Sequence, residues 1–177
     1  MKFDQTKLSG AYIIEPEIHT DERGGFFRYF CKNEFNEINF NFHWVQINHS
    51  ISIKTGTLRG LHFQVSPYSE IKLIKCIKGS VFDVIVDIRK DSDTFLKWFG
   101  IELSETNKKM IYVPQGFAHG FQTLEDNTEL IYHHSEFYMP GYESGILHND
   151  PLLNINWPLP VSIISQRDLN HQTLDSL

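Results

Sequence analysis

The 177 residues suit one domain with a sizeable core, and 41% apolar with 14% aromatic residues describe a folded globular chain. A net charge of −6 argues against nucleic acid as a partner. No apolar run approaches the roughly 20 residues that a membrane helix needs, and Met1-Lys2-Phe3-Asp4 has no signal-like apolar stretch. The expectation is a cytoplasmic protein with no membrane partner, in which Cys31 and Cys76 stay reduced; their spacing carries no metal or redox signal.

Taken in chain order, the first punctuation is the glycine turn Asp21-Glu22-Arg23-Gly24-Gly25. Residues 33–38 predict one short helix capped by Asn33. Residues 45–53 alternate as a strand, with Ile47, His49, Ile51 and Ile53 on one face and Gln46, Asn48, Ser50 and Ser52 on the other. After a turn at Thr55-Gly56, residues 57–64 read as another strand. Further strand signals cover 71–77, 81–88, 110–113, 121–124 and 129–132. Trp157-Pro158 and Pro160 make the tail loop-like there, and it ends in a polar stretch from Gln166. Nothing resembles a linker or a repeat. Short strands with turns between them predict an all-β antiparallel sandwich or barrel, one domain over 1–177.

The segment Thr57-Leu58-Arg59-Gly60-Leu61-His62-Phe63-Gln64 carries the strongest chemical signal. On an alternating strand Arg59 and His62 face opposite ways, but Gly60 permits a bulge that re-aims one of them. Arg59 suits an anionic substrate and His62 a proton transfer. A general base needs an orienting carboxylate, and Asp168 is a candidate; the bland reading of His62 is a hydrogen-bonded core histidine. His119, in Pro114-Gln115-Gly116-Phe117-Ala118-His119-Gly120-Phe121, is a second histidine among glycines and aromatics. Lys72 shares a strand face with Ile74 and Cys76, so its ammonium reads as inward-facing, where it would stabilise an oxyanion. Lys75 reads as a solvated edge residue. Tyr132 and Tyr138 are either amphipathic core or a proton donor. Arg23 reads either as a surface ion pair or as a ligand contact. No metal is expected, because Gln64 stands where a His-x-His pair would need its second histidine, and His133-His134 point to opposite faces.

These segments resemble the dTDP-4-dehydrorhamnose 3,5-epimerases. The match includes Asp21-Glu22-Arg23-Gly24, Gln46 with Asn48-His49-Ser50, Leu58 to Gln64, Lys72-Leu73, Asp83-Val84, Gly116 to Phe121, Tyr132, Asn149-Asp150-Pro151, Trp157-Pro158 and Ser165 with Asp168. The resemblance implies a cupin-type jelly-roll barrel with few short helices, a homodimer and a nucleotide-sugar substrate. It implies C3 and C5 inversion without a cofactor. His62, oriented by Asp168, would be the base, Lys72 the enolate stabiliser and Tyr132 the acid. Arg23, Arg28, Gln46, Asn48, Arg59, His119, Tyr138, Glu143 and Arg167 would contact the substrate. His19 and Arg28 depart from the Phe and Glu common in relatives at positions near the base, so another nucleotide is an expectation kept open. Alternatives are a single-centre epimerase or ketoisomerase on another nucleotide sugar, and a non-catalytic sugar-nucleotide-binding module.

Overall fold

The computed structural model describes residues 1–176. Two short strands open it, β1 (Lys2–Gln5) and β2 (Tyr12–Glu15), followed by a separate hairpin of β3 (Ile18–Asp21) and β4 (Gly24–Phe27). After the short helix α1 (Lys32–Phe35) come β5 (Gln46–Ser52), β6 (Thr57–Gln64), β7 (Lys72–Lys78) and β8 (Ser80–Asp87). Then follow β9 (Trp98–Ser104), β10 (Met110–Val113), β11 (Phe117–Thr123), β12 (Thr128–His134), β13 (Glu143–Gly145), β14 (Ile163–Ile164) and a second short helix, α2 (Gln166–Leu169).

The strands form two facing sheets. The first runs β1-β2-β10-β7-β12-β5 and the second β13-β6-β11-β8-β9, with β14 parallel on β6. The other strand pairs are antiparallel. Between the sheets, Ile74, Cys76, Ile111 and Leu130 of the first meet Val81, Ile85, Leu103, Phe117 and Phe121 of the second. Removing each of these large side chains from water contributes about 1.5–3 kcal/mol. This is the expected cupin-type all-β fold. The outer face of the first sheet is covered by α1 and the aromatics Phe30, Phe35, Phe40 and Trp44.

Two features of the strands position the site. On β5 the alternation is real, and its polar side faces the barrel. Asn48 and Ser50 line the interior, while Ile47 and Ile51, and Ile53 just past the strand, are 62%, 57% and 67% exposed. On β6 the bulge at Gly60 is present: His62 pairs with His119, yet Arg59 pairs with Phe121, so the register slips by one between them. Gly60 sits at φ +120°, and a Cβ there would lie 2.5 Å from the Gly120 Cα, so only glycine fits.

Two local expectations are corrected. The N-cap of α1 is Cys31 and not Asn33, and it makes no side-chain cap bond. Burial of Phe35 and Ile38 in the aromatic cluster fixes that segment instead. Lys75 is not on a solvated edge: it is 3% exposed, with its Nζ 4.0 Å above the Phe27 ring and 5.0 Å from the Tyr29 ring. Lys75 lies on a strand as expected, but Phe27 at the end of β4 and Tyr29 just beyond it cover that face. Burial, helped by the charge of Lys108, pushes the Lys75 amine down to about 8. The tail is loop at Trp157-Pro158 and Pro160 as expected, and in the polar stretch beyond, Ser165 Oγ accepts the Asp168 N–H at 3.0 Å and starts α2.

Candidate active site

A pocket of about 550 Å³ opens at the polar end of the barrel. Arg59 and His62 reach it from β6, Lys72 from β7, His119 from β11, Tyr132 and His134 from β12, and Asp168 from α2. The Gly60 bulge is what lets Arg59 and His62 line one cavity.

His62 Nε2 lies 2.8 Å from Asp168 Oδ1. The other carboxylate oxygen, Oδ2, accepts the Gly60 N–H at 3.1 Å. Burial opposes ionisation of Asp168, but the bonds from His62 and Gly60 outweigh it and hold the carboxyl at about 2. An ionised carboxylate can only accept, so His62 Nε2 carries the hydrogen and Nδ1 is left with a lone pair.

Lys72 is buried and pairs with Glu70 at 3.0 Å. Glu70 also accepts from His134 Nδ1 at 2.9 Å, and His134 Nε2 accepts the Asn48 amide at 3.2 Å. Burial works against the Glu70 charge, yet His134 and Lys72 bring it down to about 2. The Tyr132 hydroxyl bonds Ser50 Oγ at 2.9 Å, and burial pushes it well above the usual phenol range. Tyr132 therefore stays a neutral O–H that can give a proton. A second His–Asp pair is wholly buried: His119 Nε2 to Asp83 Oδ2, 2.8 Å. Burial raises the Asp83 carboxyl and lowers the His119 imidazole. The cavity thus offers a carboxylate-oriented base, an ammonium and a neutral phenol together, the set required for proton transfer next to a carbonyl.

Residues 5–176 match the family model of dTDP-4-dehydrorhamnose 3,5-epimerase. The chain is 46% identical over 176 residues to the dTDP-4-dehydrorhamnose 3,5-epimerase of Methanothermobacter thermautotrophicus, covering 98% of this chain and 94% of that one. The crystal structure of the Elizabethkingia anophelis enzyme of the same name superposes with a TM-score of 0.96 at 41% identity, covering 99% and 97% of the two chains. A Legionella pneumophila dTDP-6-deoxy-D-glucose-3,5-epimerase in complex with dTDP-4-keto-L-rhamnose superposes with a TM-score of 0.93 at 39% identity, covering 98% and 93%. The chain belongs to the dTDP-4-dehydrorhamnose 3,5-epimerase family.

In this epimerase the remaining candidates divide in two. Gln46, Asn48, Tyr138, Glu143 and Arg167 line a groove continuous with the pocket through His62. There the Tyr138 hydroxyl donates to Glu143 at 2.9 Å, Arg167 lies 3.7 Å from the same carboxylate, and Gln46 accepts the Tyr138 N–H at 3.0 Å. Arg59 is held on the wall by Ser52 Oγ at 3.2 Å and the Ile51 carbonyl at 3.1 Å. Arg23 and Arg28 are elsewhere. Arg23 is exposed on the β3–β4 turn and paired with Asp21, and Arg28 pairs with Glu34, which also takes the N-terminal amine. His19 is exposed on β3.

Sequence reasoning did not assign Glu70, Asp83, Ser50, His134 or His171 to the site. For two of them a signal was present. Asp83 interrupts an apolar strand, and a carboxylate in such a place is a functional flag. Glu70 precedes Lys72 by two residues, the spacing that puts both on one side of an extended chain.

Proposed function

We propose that this enzyme inverts C3 and C5 of dTDP-4-dehydro-6-deoxyglucose, giving dTDP-4-dehydrorhamnose. The observation that carries the residue roles is the His62–Asp168 pair at 2.8 Å in one pocket with Lys72 and Tyr132. The 4-keto group acidifies the hydrogens on its neighbouring carbons. His62 Nδ1 takes one, and Asp168 stabilises the resulting imidazolium. The electron pair moves onto the carbonyl oxygen, where the Lys72 ammonium meets the enolate charge. Tyr132 gives a proton to the opposite face of the carbon, and its phenolate is then neutralised by solvent. Arg59 and His119 hold the substrate from the pocket wall, and Gln46, Asn48, Tyr138, Glu143 and Arg167 extend the contact along the groove.

The enzyme acts as a cytoplasmic homodimer in this reading. Exposed Ile47 and Ile51 on the edge strand β5 and Ile53 just after it, with Ile18 and Phe26 on the hairpin, form apolar surface that a second copy would cover. Because Arg23 and Arg28 stand outside their own chain's pocket, substrate contact by either requires that second chain.

The test is incubation with dTDP-4-keto-6-deoxyglucose in heavy water, with position read by NMR. Deuterium at both C3 and C5 is expected. Deuterium at one carbon identifies a single-centre epimerase, and none in folded protein removes this substrate.

A further inference from the structure

We propose that His62, Asp168 and His171 form a transition-metal site of zinc type whose occupation excludes the base role of His62. The ligand atoms of these three residues all lie within 4.8 Å of one another. Two imidazoles and one carboxylate, with water as the fourth ligand, are a donor set that zinc and cobalt accept.

Two of the three ligand separations are already near tetrahedral values, and the third, between the two imidazoles, is within 4.8 Å. Tetrahedral bonds of about 2.1 Å place ligand atoms about 3.4 Å apart. His171 Nε2 is already 3.6 Å from Asp168 Oδ1, and His62 Nε2, at 2.8 Å, would open by about half an ångström. Asp168 Oδ2 keeps the Gly60 N–H throughout, so Oδ1 stays aimed at both rings.

His171 has no other evident task. It is not among the residues lining the main pocket. Among the described residues its Nε2 is buried with no partner at hydrogen-bond distance, Asp168 Oδ1 standing 3.6 Å away. Its ring lies edge-on to His62 at 5.4 Å and is held in a slot that exists because residue 145 is glycine: a Cβ there would come within 2.4 Å of the ring. At 3.6 Å, His171 Nε2 and Asp168 Oδ1 are too far apart for a good hydrogen bond and close to the separation of two ligands on one metal. The nearby cation, Arg167, is drawn off towards Glu143.

The effect on chemistry rests on the proposed role of His62. A metal on Nε2 displaces that hydrogen, which moves to Nδ1. Nδ1 then has no lone pair and cannot take a proton from substrate. The metal-bound form is inactive and a chelator restores it.

The experiment uses the full chain, untagged and stripped with chelator. Cobalt(II) is titrated while the visible ligand-field bands of four-coordinate cobalt are followed. One equivalent per chain is expected. His171→Ala and His171→Gln, both checked for fold by circular dichroism, should weaken binding by at least about 10-fold, the scale on which even outer contacts of a metal site act. Zinc should inhibit turnover, with the same loss of potency in both variants. Absence of the bands, or binding unchanged in either folded variant, overturns the site. Cobalt binding without loss of turnover keeps the site and removes His62 from the base role.

Discussion

Replacing Asp168 with asparagine puts the proposed dyad to a sharp test, because the structure dictates which way the amide must turn. Oδ2 accepts the Gly60 N–H at 3.1 Å, and Oδ1 accepts the His62 Nε2 hydrogen at 2.8 Å. Asparagine has one acceptor oxygen. If that oxygen keeps Gly60, the NH2 faces His62 Nε2, which must become the acceptor. The imidazole hydrogen then sits on Nδ1, and the base is lost. If the amide turns over, two donors face each other at Gly60, at a cost of about 1–3 kcal/mol. Either way the imidazolium formed during the reaction loses its carboxylate, another 1.5–3 kcal/mol or so for a charge-assisted bond. The sum is about 2.5–6 kcal/mol, a fall of roughly 10²- to 10⁴-fold in kcat/KM. Steady-state kinetics on the dTDP-4-keto sugar with deuterium wash-in would read it, and dTDP affinity should hardly change. A loss of less than about fivefold would refute the dyad.

His62→Ala should abolish wash-in while leaving dTDP binding near wild type by calorimetry; more than a few per cent of residual turnover removes His62 as base. Tyr132→Phe deletes the hydroxyl that bonds Ser50 at 2.9 Å, and solvent exchange should then outlast net epimerisation; a parallel fall of both would show that Tyr132 is not a dedicated acid. Lys75 titrates lower in the fold, about 8, than in the unfolded chain, so its burial weakens the protein below pH 8 and stability should rise as pH climbs from about 8 to about 10.5. Lys75→Met should remove that rise and add about 2 kcal/mol at pH 7 after the lost ring contacts are deducted, raising Tm by about 4–8 °C; a lower Tm contradicts the assignment. Gly60→Ala drives a Cβ to 2.5 Å from the Gly120 backbone at a left-handed φ, so denaturant unfolding should show a loss of about 3 kcal/mol or more, and unchanged stability would contradict the close approach.

Much of the fold was readable because its central strands are long enough to show a period. The residues of β5, β7 and β8 alternate or run apolar between clear turn signals, and Gly60 advertised the bulge that joins Arg59 to His62. What stayed hidden has physical reasons. β1 to β4 are four residues each, too short for a period to emerge. Lys75 was misplaced because a period of two tells which side of a strand a residue takes but not what covers that side. Asp168 was a candidate without a location: its contact with His62 spans 106 positions and depends on a four-residue helix begun by Ser165. The Glu70 and Asp83 partnerships are likewise contacts between elements, which no local pattern encodes.

If His62 and Tyr132 act as proposed, the two-sheet build also sets the handedness of the chemistry. His62 projects from the second sheet, and Lys72 and Tyr132 from the first, so in the proposed mechanism one wall of the cavity takes hydrogen and the opposite wall returns it. Facing sheets stand about 10 Å apart, room for one sugar ring edge-on between them. A ring held there need not turn over for its configuration to change: the hydrogen leaves through one wall and arrives through the other. A version of this barrel that preserved configuration would need its phenol on β6 or β11, beside the base, so the stereochemical outcome belongs to the layering and not to any single side chain.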